Sequence, residues 1–380
     1  MPEVSTADRT MKILHFLDTL NRGGAEMQAL DVCRNAKNFG FEMTCVTAQG
    51  GALENDFSSS GVEFIKLSRK FPIDPFLVSQ LRKIIKEREI EVVQGYQAVD
   101  GLHLYLATRG LKNVKKVLSF QGGTIYDWKN RRTLLFLIPR MDANIVVSRG
   151  LKEWHEKQDG FDTTNFTVIY NGADTKRLAP SGKSLRAELG LDEKTPLIGM
   201  IGNFYREERK DQLTVCRALP RVFAEIENAH CVFAGRIEEG AEDKFADCKN
   251  FCIENKIIDR VHFLGGRSDV PDVLNALDLF VLSSRREGLP VAVSEAMLAR
   301  VPMIVSDIEP LIEASGEGKY AGVFPVGNHE ILAEKILKLL KDEESRNDLA
   351  ARAERFAQEN FSIEAHLREL RNLYETISAR

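Results

Sequence analysis

Two glutamates, Glu287 and Glu295, flank a Gly-Leu-Pro turn and are the side chains of this sequence best placed to do chemistry. The turn, Gly288-Leu289-Pro290, follows an apolar run at 277–282 that predicts a buried strand. Proline favours the first position of a helix, which is predicted over 290–299. The free backbone N–H groups and the dipole of that helix suit an anionic ligand such as a diphosphate. The acid on the helix can accept hydrogen bonds from a ribose diol, and the acid on the loop can hold a second polyol, such as a sugar.

The elements that must position these acids form a repeating β–α pattern along the whole chain. Strands are predicted at Lys12–Leu17, Phe41–Thr47, Glu63–Leu67, Glu91–Gly95, Lys116–Phe120, Ala143–Val147, Leu197–Ile201, His230–Ala234, Val261–Leu264, Leu279–Leu282, Met303–Val305 and Gly322–Phe324. Most intervals are about 20–35 residues, the length of a βαβ step. The strands are continuous apolar runs, so helices cover both faces. The sequence therefore predicts an α/β fold with two doubly wound parallel sheets, one in each half.

A boundary between the halves is predicted near 166–174, where a short strand ends in the turn signal Asn171-Gly172. The predicted division is a disordered lead-in at 1–10, an N-terminal domain at 11–170, a C-terminal domain at 171–360 and a terminal helix at 361–380. Ligands of open α/β sheets bind beyond the carboxyl ends of the strands, so two facing domains would enclose a ligand cleft.

Composition bounds the class of protein. At 380 residues with 43% apolar and 28% charged residues, the chain has the profile of an ordinary globular protein with more than one domain. A net charge of −4 argues against nucleic acid as the main partner. No apolar stretch is long enough for a membrane span, and the polar start is unlike a secretory signal. We therefore expect a cytoplasmic protein whose six cysteines are reduced and largely buried.

Several motifs in fixed order resemble the retaining glycosyltransferases of family four, the group 1 glycosyl transferases, over nearly all of residues 11–377. The segments that carry the resemblance are Gly23-Gly24-Ala25-Glu26, Ile145-Val146-Val147-Ser148, Val168 to Asp174, Lys210 with Leu213 and Ala218, Ser284 to Pro290, and Ser294-Glu295-Ala296-Met297. The resemblance implies a GT-B fold, in which two Rossmann-like domains face a central cleft and the final helix crosses back to the first domain. It also implies a bacterial polysaccharide role.

The resemblance also implies roles for particular residues. Glu295 would hold the nucleotide ribose, and Glu287 with the backbone at 288–290 would hold the donor sugar and diphosphate. Lys210 would neutralise the diphosphate, and fixed cations aimed at a leaving group lower the barrier by about 3 kcal/mol each. No metal or other cofactor is expected, since no Asp-x-Asp pair stands on a suitable loop.

Other donor-site candidates are weaker. The family has an arginine directly after the glycine of the first C-domain strand, but this chain has Asn203 there, and Arg206 would reach the phosphates instead or remain a surface charge. Gly23 and Gly24, lacking Cβ atoms, would let a loop approach the phosphates or form a plain turn. Three further candidates follow C-domain strands at the base-binding rim, where the arginines are otherwise ordinary surface residues: Gly235, Arg236 and Arg267.

The sequence indicates the acceptor-binding residues least clearly. Where the family often has a histidine near the donor sugar, this chain has Gln121 and Gly122, which would contact a sugar hydroxyl or the acceptor. His15, His103 and His155 are expected to be structural or exposed. The segment Trp128 to Arg140 mixes basic and apolar residues, so it either touches a membrane or a lipid-linked acceptor, or packs on the core with solvated arginines.

The reaction expected from the resemblance is transfer from a UDP-sugar, with glucose as first guess, to a saccharide or lipid-linked saccharide. Because no carboxylate stands out as a nucleophile, front-face return is the hypothesis for retention. Two alternatives remain, a nucleotide-sugar epimerase of GT-B shape and a non-catalytic sugar-nucleotide binding module. The epimerase would lack the linked lysine and paired glutamates, and the binding module would lack Glu287 or Lys210, whereas this sequence carries all of them.

Overall fold

A computed structural model of the chain describes residues 9–21, 23–122 and 127–379. It divides into two compact units, the first comprising Met1–Gly172 with Ile363–Arg380 and the second Ala173–Ser362. Residues 1–8 of the expected lead-in lie outside the described residues, and the first strand begins at Met11.

The first unit is a parallel sheet covered by helices. Its strands are β1 (Met11–Leu17), β2 (Phe41–Thr47), β3 (Glu63–Lys66), β4 (Val92–Gly95), β5 (Lys115–Phe120), β6 (Ala143–Val146) and β7 (Phe166–Val168). Its helices are α1 (Gly24–Asn35), α2 (Glu54–Ser58), α3 (Pro75–Glu87), α4 (Ala98–Thr108), α5 (Trp128–Leu137), α6 (Arg149–Lys157) and the last helix of the chain, α15 (Ile363–Ser378). The strand order is β3-β2-β1-β4-β5-β6-β7.

Both faces of this sheet are buried, as its continuous apolar strands predicted. Along β1, Ile13 packs into the core on one face and Leu14 into the core on the other. The first of these cores also receives Leu370 and Tyr374 of α15. Alternate side chains of a strand point to opposite faces, so one strand supplies both layers.

A buried polar network ties α15 to the sheet. The His15 ring lies 2.9 Å from the Tyr96 hydroxyl through Nδ1 and 3.2 Å from the Tyr374 hydroxyl through Nε2. The Tyr374 hydroxyl donates to Gln94 Oε1 at 2.6 Å. Burial lowers the pKa of His15 to about 3. His103 and His155 are also buried, so all three histidines are structural, one of the two outcomes expected.

The second unit repeats the same plan. Its strands are β8 (Leu197–Ile201), β9 (His230–Ala234), β10 (Val261–Gly265), β11 (Leu279–Leu282), β12 (Met303–Ser306) and β13 (Gly322–Phe324). Its helices are α7 (Leu185–Glu188), α8 (Gln212–Glu225), α9 (Glu242–Glu254), α10 (Val270–Ala276), α11 (Val291–Leu298), α12 (Glu309–Ala314), α13 (His329–Lys341) and α14 (Glu343–Asn360). The strand order, β10-β9-β8-β11-β12-β13, reverses direction between β8 and β11. Such a reversal is where doubly wound sheets bind ligands.

Each of the twelve predicted strands is present, with ends that differ by at most one residue. The short strand predicted at the boundary is present as β7, the edge strand of the first sheet. One local prediction needs correction. Pro290 is the N-cap of α11, with ψ 124°, and the helix proper begins at Val291. An extended ψ keeps a residue outside the first helical turn, so the prediction of proline at the first helical position was wrong by one residue.

The cysteines are free and buried, as expected from the sequence. In the described part of the chain, no three or more His, Cys, Asp and Glu side chains are grouped so that they could hold a metal ion. The same residues include no helix with the length and apolar content that crossing a bilayer requires.

Candidate active site

The reversal point of the second sheet carries a buried ion pair between two of the predicted residues. Lys210 Nζ lies 2.6 Å from Glu287 Oε1, and the side chains are only 8% and 5% exposed. Ser284 Oγ donates to the same carboxylate oxygen at 2.7 Å. A buried charge is tolerated only when it is paired and hydrogen-bonded, and this carboxylate has both kinds of partner.

Backbone pairing explains why residues so distant in sequence meet. The segment before α8 runs antiparallel to the segment after β11, with a bridge between Lys210 and Ser284. Arg285 N donates to Arg209 O at 2.7 Å, and Asp211 N donates to Ser283 O at 2.9 Å. The Arg285 guanidinium also pairs with Asp211 at 3.0 Å. The lysine and the glutamate are thus fixed by main-chain hydrogen bonds on both sides.

Glu295, eight residues after Glu287, forms a second buried ion pair in this unit. It lies on α11, five residues after Pro290, and its Oε1 is 2.7 Å from Nη2 of Arg177. The two side chains are 10% and 18% exposed. Arg177 lies in the turn that opens the second unit, and no motif in the sequence marks it. A lone arginine in a loop has the pattern of an ordinary surface residue, so only the fold could reveal this pairing.

Two glycines allow the strand ends to come together here. A Cβ on Gly235 would lie 2.1 Å from the carbonyl oxygen of Gly202, which no side chain could tolerate. A Cβ on Gly202 would lie 3.0 Å from Cε of Lys210. Gly235 was predicted at the nucleotide-binding rim, and the structure adds a packing requirement at this position.

The remaining polar candidates of this unit differ in how many hydrogen bonds and ion pairs they make with other residues of the protein. Asn203 uses both ends of its amide, since Nδ2 donates to Glu238 at 2.7 Å and Oδ1 accepts from Arg236 N at 2.9 Å. Arg267 pairs with Glu188 at 2.8 Å and with Asp269 at 2.7 Å, and these two acids, Glu188 first, raise its pKa.

Arg206 and Arg236 are exposed and make no ion pair with a described residue. The Arg206 side chain passes close to Gly240, and that of Arg236 passes over Gly266. Leu289 is buried and Gly288 lies beside it in the turn before α11.

The first unit carries the other four predicted residues at the carboxyl edge of its own sheet. Gly23 is the N-cap of α1 and Gly24 its first residue. The Glu26 carboxylate packs against Gly23, and burial raises the pKa of Glu26. Gln121 donates to Ser119 Oγ at 2.8 Å, while its buried Oε1 has no hydrogen-bond partner among the residues that the structure describes. A Cβ at Gly122 would have no described atom within 4 Å, and Gly123 lies outside the described residues.

Comparison with known proteins identifies the class. The model of Glycosyl transferases group 1 matches residues 182–356, and that of Glycosyltransferase Family 4 matches residues 22–177. The chain is 37% identical over 276 residues, covering 71% of this chain and 67% of the relative, to N,N'-diacetylbacillosaminyl-diphospho-undecaprenol alpha-1,3-N-acetylgalactosaminyltransferase of Campylobacter jejuni. The chain therefore belongs to glycosyltransferase family 4, and it is a glycosyltransferase.

Other relatives have related activities. N-acetyl-alpha-D-glucosaminyl L-malate synthase of Bacillus anthracis is 26% identical, with 80% of this chain and 79% of the relative covered. UDP-Gal:alpha-D-GlcNAc-diphosphoundecaprenol alpha-1,3-galactosyltransferase of Escherichia coli is 25% identical, with 78% of this chain and 80% of the relative covered.

The fold is that of known GT-B enzymes. The chain superposes on Anabaena HepE, solved in complex with UDP, with a TM-score of 0.83 at 19% identity, covering 97% of this chain and 100% of that one. It superposes on WaaG, a glycosyltransferase of lipopolysaccharide biosynthesis, with a TM-score of 0.67 at 16% identity, covering 96% and 98% of the two chains. The predicted GT-B fold is confirmed.

Proposed function

We propose that this glycosyltransferase moves a sugar, with glucose as the first candidate, from a UDP-sugar to a saccharide or lipid-linked saccharide in bacterial polysaccharide synthesis, with retention of configuration. The observation that supports this most strongly is the buried Lys210–Glu287 pair at the reversal point of the second sheet. A lysine held there by the Glu287 carboxylate suits a ligand that carries negative charge next to a polyol. A nucleotide diphosphate-sugar has both features.

Each residue has a role in this proposal. Glu295 accepts hydrogen bonds from the ribose hydroxyls, and Glu287 with the turn at 288–290 holds the sugar and the diphosphate. Lys210, helped by Arg206, stabilises the negative charge that grows on the leaving diphosphate, an effect worth about 3 kcal/mol per donor. No metal ion is needed in this scheme, because fixed cations and main-chain N–H groups supply the charge stabilisation.

Retention follows a front-face path in this proposal. The bond between the anomeric carbon and the diphosphate oxygen breaks while the acceptor oxygen bonds to the same face of that carbon. The acceptor's proton passes to the departing phosphate oxygen, so no enzyme carboxylate forms a covalent adduct. Gln121 and Gly122, at the carboxyl end of β5, contact the sugar or the acceptor.

The relatives support a lipid-linked acceptor. The printed names of the Campylobacter jejuni and Escherichia coli enzymes give diphospho-undecaprenol and diphosphoundecaprenol substrates. An acceptor of this kind lies in a membrane, so the proposal includes peripheral contact with the cytoplasmic face of the membrane.

The proposal is tested by UDP release from a panel of UDP-sugars, with and without an undecaprenyl-diphosphate-linked sugar, in buffer containing EDTA. We expect acceptor-dependent UDP release that EDTA does not change, and a product whose anomeric proton signal matches that of the donor. Loss of activity in EDTA would contradict metal independence. Trapping of a sugar–enzyme adduct would contradict the front-face path.

The same assay separates the two alternatives. A nucleotide-sugar epimerase would change the configuration of the donor sugar without any acceptor, and no UDP release would accompany sugar transfer. A binding module would bind UDP but never release it from a UDP-sugar. Either outcome across the full donor and acceptor panel would replace the proposed reaction.

A further inference from the structure

A loop of the first unit presents three large apolar side chains to solvent. Phe71 is 54% exposed, Ile73 54% and Phe76 76%, all within six residues at the start of α3. Surface hydrophobic residues that stand singly are normal, whereas a contiguous group of large ones marks an interaction site. We call this segment, residues 69–76, the apolar loop.

Hydrogen bonds to a buried aspartate, Asp74, fix the backbone of the apolar loop. Asp74 is buried, and its carboxylate accepts hydrogen bonds from Lys70 N, Phe76 N and Leu77 N at 2.8–3.3 Å. The backbone N–H of Asp74 donates to His103 Nε2 at 3.0 Å. These hydrogen bonds fix the backbone while the apolar side chains above it stay exposed.

Arg69 anchors the other end of the loop. Its guanidinium makes two hydrogen bonds to the Asp18 carboxylate, at 2.6 and 2.7 Å, and a third to Phe71 O at 3.2 Å. An apolar loop fixed in this way has already lost the entropy of ordering, so binding does not have to supply it again.

Helix α5 extends the same type of surface. Helix α4 packs against α3 on one side and α5 on the other, and the only charged side chain on α4, Asp100, is buried. On α5, Trp128 is 65% exposed and Phe136 41% exposed. Leu134 and Leu137 of the same helix are buried, so α5 packs on the core with one face and leaves aromatic residues on the other.

The charges of this surface are mostly positive. The exposed cations of the apolar loop and of residues 127–140, apart from Arg131, are Lys70, Lys129, Arg132 and Arg140, and the exposed acid is Asp127. The guanidinium of Arg140 lies 4.0 Å from the centre of the Phe136 ring, and Lys129 Nζ lies 5.6 Å from that of Trp128. The exposed cations of this surface therefore outnumber its exposed acids, whereas the chain as a whole has a net charge of −4.

Arg131 differs from its neighbours and corrects the expectation that the arginines of this segment are simply solvated. Its guanidinium donates twice to Asp159 O, at 2.7 and 3.0 Å, which secures α5 to the turn after α6. A charge substitution meant to test the surface must therefore leave Arg131 in place.

We infer that the apolar loop, together with the outer face of α5, docks the enzyme on an anionic lipid bilayer, with Phe71, Ile73 and Phe76 entering the headgroup region and the α5 cations facing lipid phosphates. Aromatic and aliphatic side chains flanked by Lys and Arg are the composition that binds this interface. The inference rests on the proposed lipid-linked acceptor, because it names the surface by which the enzyme reaches that acceptor.

Vesicle flotation of the full-length protein tests this assignment. The wild type is mixed with vesicles of phosphatidylethanolamine and phosphatidylglycerol, and with vesicles of phosphatidylcholine alone. We expect the wild type to float with the anionic vesicles, and the triple variant Phe71→Ser/Ile73→Ser/Phe76→Ser to lose roughly tenfold or more in partitioning. The variant Lys129→Gln/Arg132→Gln should lose binding more strongly at low salt than at high salt.

Matched controls keep the result specific. Ile253 of the second unit is 49% exposed, close to the values of the apolar loop, and Ile253→Ser should float like the wild type. All variants should keep the unfolding midpoint and the UDP affinity of the wild type. A triple variant that floats normally, or a wild type that does not float, overturns the assignment.

Two further outcomes separate this inference from others. If light scattering shows a dimer of the wild type that the triple variant lacks, the surface joins two copies of the chain and the bilayer assignment fails. If vesicle binding is unaffected by the triple change while acceptor-dependent UDP release persists, only this inference fails. If the triple change abolishes vesicle binding but no UDP-sugar is turned over, only the proposed reaction fails.

Discussion

The two units share the order of six strands, with β7 added at one edge of the first sheet, yet they differ in the side chains placed around that sheet. The second unit buries ion pairs beside its reversal point, Lys210–Glu287 and Arg177–Glu295. The first unit holds most of the exposed large hydrophobic residues of the described chain: Phe71, Ile73, Phe76, Trp128, Leu135 and Phe136, against Ile237 and Ile253 in the second.

Under the two proposals above, this difference lets one architecture serve two types of ligand. Paired buried charges can exchange partners when a small, charged ligand arrives, because the ligand replaces one electrostatic partner with another. Exposed aromatic and aliphatic side chains contribute favourable binding free energy only when a large apolar surface covers them. The fold supplies the positions, and the side chains added to it decide the chemistry.

The largest effect is expected at the Lys210–Glu287 pair. Glu287→Gln keeps the shape of the side chain but removes the charge that faces Lys210, so we expect kcat/KM to fall by about 10²–10³-fold. Lys210→Met should reduce it further, and it leaves a buried carboxylate without its cation, which costs about 3 kcal/mol of stability. Steady-state kinetics and urea unfolding measure the two effects.

The double variant Lys210→Met/Glu287→Gln serves as the control for stability. Removing both charges should restore most of the unfolding free energy lost in Lys210→Met, without restoring activity. If Lys210→Met alone unfolds like the wild type, the pair is not buried in the functional protein and the contrast between the two units is lost.

A smaller effect is expected at Arg177. If this arginine orients Glu295 toward the ribose, Arg177→Ala should raise the Kd for UDP about tenfold, equivalent to about 1.4 kcal/mol. Arg177→Lys should recover part of that loss, and kcat should change less than KM. Calorimetric titration with UDP and with inorganic pyrophosphate, which has no ribose, separates the ribose contact from the diphosphate contact. Equal losses for both ligands would contradict the assignment.

The buried histidines of the first unit predict a dependence of stability on pH. Burial lowers the pKa of His15 to about 3 and that of His366 to about 4. Between the unfolded value near 6.5 and these folded values, the unfolded chain binds protons that the folded chain does not. The unfolding free energy should therefore fall as pH drops below about 6.5, by about 2 kcal/mol per histidine between pH 7.5 and 5.

Urea unfolding at several pH values checks this slope, with His366→Asn as the comparison. The Nδ1–H group of His366 donates to Tyr170 O at 2.7 Å, and an asparagine amide can replace this donor without titrating. The variant should show a shallower decline toward pH 5. An unchanged slope would mean that this histidine is protonated in the folded protein.

The smallest effect concerns the apolar loop itself. Replacing Phe71, Ile73 and Phe76 by serine should change the unfolding free energy by less than about 0.5 kcal/mol, because exposed side chains contribute little to folding. Asp74→Ala should cost about 1–2 kcal/mol, because the helix N-cap is lost. Thermal unfolding of both variants tests whether Asp74 stabilises the loop while the three apolar side chains contribute little to folding.

Part of this description could be read directly from the sequence. The twelve strands were located to within a residue because buried parallel strands are continuous apolar runs, and the turn before α11 placed Glu287 and Glu295 at a strand end and on a helix. Arg177 could not be found in this way, since its partner is 118 residues away. The exposure of Phe71 and Phe76 was equally hidden, because an apolar residue in a sequence is most simply assigned to the core.

What the sequence determined by itself is therefore local and periodic: which segments form strands, where helices begin, and which residue types end them. Only the tertiary structure decided which charges pair and which apolar side chains remain in water. The physical reason is that these properties depend on contacts between segments far apart in the chain, made when β8 and β11 become neighbours and when Asp74 is fixed beneath its loop.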